Sequence, residues 1–315
     1  MTTAFVFPGQ GSQSVGMLAD FAQAGTQVRD TFAAASAVLG FDLWDVVANG
    51  PRERLDQTEV TQPAMLAAGV ATWRMWLDAD GSLPQCLAGH SLGEYTALVC
   101  GGAIEFDAAV DLVRQRAAAM QNAVAPGVGA MAAVLGLSDE QVEQACTAAA
   151  TEYEVVEPVN YNAPGQVVVA GHAAAVNRAV EAARASGARR AVLLPVSVPS
   201  HSSLMQPAAH ALEQAVATAD LQTPTTTVVS SVDATVYRDA QHIRANLLSQ
   251  VHQPVRWVAT VNALVALGGG TVIECGPGKV LTGLNRRITK GSDTNCAAII
   301  DPASLTDVQQ MVKPQ

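Results

Sequence analysis

The sequence predicts an α/β fold in which a mainly parallel sheet is interrupted by a smaller ferredoxin-like module. Three observations carry this. Short apolar strand-like runs alternate with helix-like stretches in the first and last thirds of the chain. The stretch from Gly129 to Leu194 reads β-α-β-β-α-β, the split βαβ order. Proline and glycine mark both of its borders, at Pro126-Gly127 and between Pro195 and Pro199. With 315 residues, 49% of them hydrophobic and only 4% aromatic, the chain can fill such a core with small aliphatic side chains.

Ala4–Phe7 reads as a buried strand that ends in the turn Pro8-Gly9-Gln10-Gly11-Ser12-Gln13, and 17–39 as helix. Short helical pieces follow near 43–47 and 52–55, then a strong helix over 62–77, a strand over 85–90, and helices over 94–100 and 107–120. In the middle module a strand at 130–135 leads to a helix over 139–150, which Ser138 caps with Gln141 three residues on. Strands at 153–158 and 166–170, a helix at 173–186 and a strand at 190–194 complete it. Beyond the module, 202–219 is helical, 226–229 strand, 242–250 and 257–267 helical, and 271–274 a strand feeding Gly276-Pro277-Gly278 and a further helix. The first and last thirds are therefore expected to share one sheet.

Charge narrows the partners. The 18 basic residues against 28 acidic give −10, and no basic run exceeds the pairs Arg189-Arg190 and Arg286-Arg287, which leaves no footprint for nucleic acid. Arg286, Arg287 and Lys290 form the local basic patch an acidic protein partner would need. The five cysteines are odd in number, widely spaced and mostly in apolar segments, which points to buried thiols in a reducing compartment. The start of the chain is too short and uncharged before Pro8 to read as a signal peptide, and no apolar run spans a bilayer, so a cytoplasmic location is expected. No cysteine or histidine spacing suggests a metal site.

Gly89-His90-Ser91-Leu92-Gly93 carries the chemistry. It is a G-x-S-x-G turn between a strand-like run and a helix-like one, the context of the nucleophile elbow in α/β-hydrolase-like sheets. Such a turn lifts the Ser91 hydroxyl above the sheet edge, although a Gly/Ser turn can also be only a turn. A serine needs a base, and six histidines compete for the role. His90 adjoins the serine on too tight a turn to point back. His172, His210 and His242 fall in helix patterns, and His252 flanks a turn containing proline. His201, in the loop Val198-Pro199-Ser200-His201-Ser202 between two elements, is the best placed, with a helix-start residue capped by Ser200 as the plain alternative. No acidic residue between Ser91 and His201 follows a core strand, so the third member of a hydrolase triad is missing. Oxyanion donors are available at the Leu92 amide and in the Gly9-Gln10-Gly11 turn. Arg116 shares the apolar face of its helix with Leu112 and Val113 while Arg114 points away, so its fork needs an anionic partner, either a protein carboxylate or a substrate one.

Over nearly its full length the chain resembles the stand-alone bacterial malonyl-CoA:acyl-carrier-protein transacylases of type II fatty-acid synthesis. The matching stretches are Phe7 to Gln13, Gly89 to Tyr95, Gln115-Arg116, Gly129-Ala130-Met131, Asn160 to Gly171, Pro195 to His201 and Glu274 to Leu281. The resemblance implies an α/β-hydrolase-like large subdomain at 1–126 and 197–315 and a ferredoxin-like small subdomain at 127–196. It implies that Ser91 carries malonate as an ester, that His201 is the base, and that the backbone carbonyl of Gln250 orients the imidazole. It further implies an oxyanion hole from the amides of Gln10 and Leu92, and Arg116 as the ligand of the malonyl carboxylate. Ser200 before the histidine fits malonyl selection in the stand-alone enzymes. The partners implied are malonyl-CoA as substrate and holo acyl carrier protein as acceptor, with no cofactor, nucleic acid or membrane, and a monomer is expected. A thioesterase would use the same serine and histidine with water as acceptor, a carrier-docking module would use neither, and the acyltransferase subunit of a malonate decarboxylase is a close relative.

Overall fold

The computed structural model describes residues 2–196 and 198–313. The chain divides into two compact units, Met1–Ala117 with Ala219–Ile243 and Thr260–Gln315, and Ala118–Thr218 with Arg244–Ala259.

The first unit holds a five-stranded sheet in the order β7-β2-β1-β8-β9, built from β1 (Thr3–Phe7), β2 (Cys86–Gly89), β7 (Thr227–Val229), β8 (Thr271–Cys275) and β9 (Asn295–Ile299). Every pairing is parallel, and all of β1, β2 and β8 is buried, as expected of strands covered on both faces. Helices α1 (Ala19–Ala24), α2 (Gln27–Leu39), α3 (Leu43–Asn49), α4 (Arg52–Leu55) and α5 (Thr58–Asp78) lie between β1 and β2, and α6 (Gly93–Cys100) follows β2. Phe5 of β1 packs edge-on against Trp73 (5.6 Å between centroids) and tilted against Trp76 (5.2 Å) of α5, which fixes that helix to the sheet. The sequence reading joins α1 and α2 into one helix over 17–39, but Gly25 breaks it in extended conformation (φ −167°). The last elements, β9, α13 (Val280–Ile288) and α14 (Pro302–Val312), complete this unit; the sequence reading ends at α13.

The second unit holds an antiparallel sheet in the order β4-β5-β3-β6, from β3 (Gly129–Leu135), β4 (Val156–Ala163), β5 (Gln166–His172) and β6 (Arg190–Leu193). Helices α8 (Asp139–Ala149) and α9 (Ala173–Ala185) give the ferredoxin-like chain order. Ser138 caps α8 in the reciprocal arrangement with Gln141 that the sequence predicts. Alternation sorts the strands: Ala132, Val134, Val167 and Val169 join Val142, Ala145, Val176 and Val180 of the two helices in one core, while Met131, Val159, Val168 and Ala170 cluster separately.

This unit is larger than the expected module at 127–196, whose far border adjoins residue 197, outside the described residues. It takes in α10 (Gln206–Thr218) and most of α11 (Ala240–His252), and Val255 beyond α11 pairs with β4 through Val255 N–H to Val159 O (2.9 Å) and Tyr161 N–H to Val255 O (3.0 Å). Helices α7 (Phe106–Asn122), α11 and α12 (Trp257–Ala266) each run from one unit's residues into the other's.

Candidate active site

In the first unit the nucleophile turn follows from three glycines. Between β2 and α6, Ser91 adopts a left-handed backbone (φ 52°), a conformation costly for a residue with a Cβ and typical of strained functional turns. The turn closes through His90 N–H to Phe7 O and Glu94 N–H to Ser91 O, both 3.0 Å. A Cβ on Gly89 would overlap the Gly93 carbonyl, and one on Gly93 would overlap the Phe7 carbonyl. A Cβ on Gly9 would stand 2.5 Å from His90 O and 3.7 Å from the Leu92 nitrogen, so the turn carrying Gln10 runs against the elbow. The turn after β8 joins them, since a Cβ on Gly276 would lie 3.1 Å from the Pro8 ring. Thus the carboxyl ends of three adjacent strands bring Ser91 together with both segments named as oxyanion donors, Gln10 and Leu92. The Leu92 amide opens α6, where a helix's first N–H groups have no intrahelical acceptor.

Arg116 of α7 is 1% exposed. Its Nη1 donates to Gln62 Oε1 (2.6 Å) and its Nη2 to Ser91 Oγ (3.3 Å), with the guanidinium 5.6 Å above the Tyr95 ring. Two of the groups that hold this cation are therefore neutral oxygens, one of them the nucleophile. Burial lowers its pKa while Tyr95 and Glu94 oppose the shift, and a guanidinium stays charged regardless. Burial likewise pushes the Tyr95 phenol up to about 12, with Arg116 pulling against it. Arg114, on the other face of α7, pairs with Asp111 at the surface (2.6 Å).

In the second unit His201 is 4% exposed and, like Ser91, left-handed (φ 67°). Its Nδ1 lies 2.7 Å from Gln250 O and its backbone N–H donates to Val251 O (3.1 Å). A carbonyl only accepts, so Nδ1 carries a proton, and in the neutral imidazole this places the lone pair on Nε2, the form a general base requires. The sequence explains why this carbonyl serves. Gln250 lies in the last turn of α11, and the residue four further on is Pro254, which has no N–H to complete the helical bond. The helix C-terminus also carries partial negative charge, which favours the imidazolium formed during proton transfer. A half-open cleft of about 250 Å³, lined by Glu157, His201, Ser203, Gln206 and His252 among others, adjoins the imidazole.

Three of the other histidines have partners of their own. His172 Nδ1 accepts from Val155 N–H (3.0 Å), His210 meets Glu213 at the surface (2.8 Å), and His242 contacts Asp233 (3.2 Å) and packs against the Tyr237 ring. Sequence reasoning missed Gln62 and Glu94. Gln62 is a buried amide just ahead of the apolar run from Ala64 to Ala71, which is a readable signal. Glu94 is fully buried and accepts from Ser231 N–H (3.0 Å), Ser231 Oγ (2.8 Å) and Tyr237 Oη (2.7 Å), pinning α6 from behind the elbow. Its donors lie more than 130 residues away, which no local pattern reveals. Glu274 is also structural, accepting the Leu281 and Thr282 amides at the start of α13 (3.1 and 2.6 Å).

Among the described residues no group of three or more His, Cys, Asp or Glu is placed to hold a metal ion, and no helix is long and apolar enough to cross a membrane. All five cysteines are free, and burial raises every thiol, Cys86 to about 11 and Cys146 to about 12, which keeps them from acting as thiolate nucleophiles.

Known proteins resemble this chain over nearly its whole length. The malonyl CoA-acyl carrier protein transacylase of Salmonella typhimurium is 52% identical over 304 residues, 96% of this chain and 97% of the relative. The crystal structure of an acyl carrier protein S-malonyltransferase from Vibrio cholerae superposes with TM-score 0.94 at 51% identity, covering 98% of this chain and all of that one. A malonyl-transacylase solved in complex with its type II PKS acyl-carrier protein gives 0.96 at 48%, covering 99% of this chain and all of the other. The family model for the acyl transferase domain matches residues 4–308, and the chain belongs to that family.

Proposed function

We propose that this protein transfers a malonyl group from malonyl-CoA to the phosphopantetheine thiol of holo acyl carrier protein, through a malonyl ester on Ser91. The observation that carries the reading is the buried Arg116 guanidinium within hydrogen-bond distance of Ser91 Oγ. In a malonyl ester on that oxygen, the free carboxylate is three bonds away, and the guanidinium's planar fork matches it. The names of the relatives support the same substrate and acceptor.

In this reading His201 Nε2 takes the Ser91 proton as Oγ attacks the thioester carbonyl, and the Gln10 and Leu92 amides hold the oxyanion. The C–S bond breaks, and CoA leaves with the proton returned by the imidazolium. In the second half the carrier thiol gives its proton to His201 and attacks the ester, the C–O bond breaks, and Ser91 recovers its proton. The Gln250 carbonyl holds the tautomer where a hydrolase would use a carboxylate, so no second anion stands in the dyad beside an anionic substrate. Five free thiols fit a reducing, cytoplasmic setting.

Intact-mass spectrometry tests it directly. Mixing with malonyl-CoA should add one malonyl group, holo acyl carrier protein should then remove it, and Ser91→Ala should show no addition. Loss of the adduct to water at the same rate with and without carrier protein would make the protein a thioesterase instead.

A further inference from the structure

The His201 turn, the end of α11 and β4, all of the second unit, form a frame in which each pair of segments is tied. The His201 turn is bound to the end of α11 through the Gln250 and Val251 carbonyls (2.7 and 3.1 Å). The chain just beyond α11 is bound to β4 through Val255, which exchanges hydrogen bonds with Val159 and Tyr161. The third edge runs from β4 back to the His201 turn and consists of Glu157, whose Oε2 accepts the Ser203 N–H at 2.7 Å. Glu157 and Ser203 face the cleft that His201 and His252 also line.

This frame matters because His201 holds a left-handed backbone. Such a conformation costs about 1–3 kcal/mol and persists only where its surroundings over-determine it. Ser202 contributes within the turn, its hydroxyl donating to Pro199 O (2.7 Å). Of the frame's three edges, the two at α11 end on main-chain carbonyls, whereas the edge at Ser203 ends on a carboxylate and is charge-assisted. The Ser203 amide opens the 3-10 turn Ser203–Met205, where no preceding turn supplies an acceptor.

We propose that Glu157 is a positioning residue for acyl transfer: by accepting the Ser203 N–H it clamps the His201 turn to β4 and fixes the direction of the imidazole. The proposal rests on the reading of His201 as base. Glutamine at 157 keeps an acceptor of the same reach, whereas leucine keeps the bulk and removes the acceptor.

The test uses the full chain with Glu157→Gln, Glu157→Leu, His201→Gln and the leucine variant combined with His201→Gln. Two quantities are read, steady-state malonyl transfer to holo acyl carrier protein and the rate at which a fluorophosphonate labels Ser91, a reaction that needs the base and not the malonyl carboxylate. Since a 1 Å displacement of a catalytic group costs on the order of 100-fold, Glu157→Leu should lower kcat about tenfold with KM changed less than about twofold, and slow labelling by the same factor. Glu157→Gln should stay within about twofold of the parent, and in the His201→Gln background the leucine change should add nothing. If the leucine variant loses its cooperative melting, Glu157→Ser, too short to reach the amide, replaces it. Parent-like kcat in the leucine variant, a glutamine variant as slow as leucine, or an effect confined to KM would each overturn the proposal. An undiminished rate in His201→Gln alone would instead overturn the base assignment.

Discussion

Replacing Arg116 with alanine removes a guanidinium that is 1% exposed and sits 3.3 Å from Ser91 Oγ. Hydrogen bonds to charged groups contribute about 1.5–3 kcal/mol each, so a two-pronged grip on the malonyl carboxylate is worth roughly 3 kcal/mol or more. At about 1.4 kcal/mol per factor of ten, kcat/KM for malonyl-CoA should fall on the order of 100-fold. An acetyl group has no carboxylate and loses nothing by this route, so the malonyl-to-acetyl preference should fall by the same factor. The change also strips a donor from the buried Gln62 oxygen, at a cost of about 1–3 kcal/mol of stability. Rates should therefore be compared well below the variant's melting point. The assay is initial-rate transfer from malonyl-CoA and acetyl-CoA to holo acyl carrier protein. A variant that lost both activities equally, or kept the parent's preference, would show that Arg116 supports the fold and does not read the substrate.

Three further outcomes are expected. Gly93→Ala forces a Cβ into the Phe7 carbonyl, so it should destabilise by about 1–3 kcal/mol in chemical denaturation and abolish malonyl-ester formation; an alanine variant that melts and acylates like the parent would sink the elbow argument. Pro254→Ala gives position 254 an N–H that competes for Gln250 O, and diverting one hydrogen bond of about 1 kcal/mol should lower kcat about fivefold, read by steady-state kinetics and contradicted by an unchanged kcat. Because burial raises all five thiols, they stay protonated near pH 8, and a disulfide reagent should label them slowly in the native protein and all five in denaturant; rapid native labelling of Cys86 or Cys146 would contradict their burial.

Local pattern made the parallel sheet, the inserted β-α-β-β-α-β order and the Ser91 turn legible, because each rests on neighbouring residues. Where it failed, distant contacts decide. The strand expected at 153–158 forms instead at Val156–Ala163, with Tyr153 80% exposed and irregular register at Pro158/Asn160 and Tyr161/Ala163. Asn160 and Asn162 interrupt the apolar pattern there, and the pairing with Val255 holds the strand in place. Helix α5 begins at Thr58, earlier than the sequence reading at 62, because Pro63 is tolerated inside it. Strand β9 is short and small-sided, Asn-Cys-Ala-Ala-Ile, and its parallel pairing with β8 is what makes it a strand. Ser91, Arg116 and His201 stand out in the sequence by motif and placement, whereas Glu94 and Glu157 meet partners 137 and 46 residues away.

The acceptor that fixes the His201 tautomer is a main-chain oxygen. All twenty amino acids bring that oxygen to position 250, so a substitution there acts through the packing of a fully buried side chain and not through loss of the acceptor. The placement of the acceptor is stored instead in where α11 stops, which, with His201 proposed as the base, makes helix termination part of the specification of the site and places its genetic vulnerability at neighbouring positions. A library that varies side chains reaches the acceptor of His201 itself only through changes that lengthen, shorten or re-cap the helix.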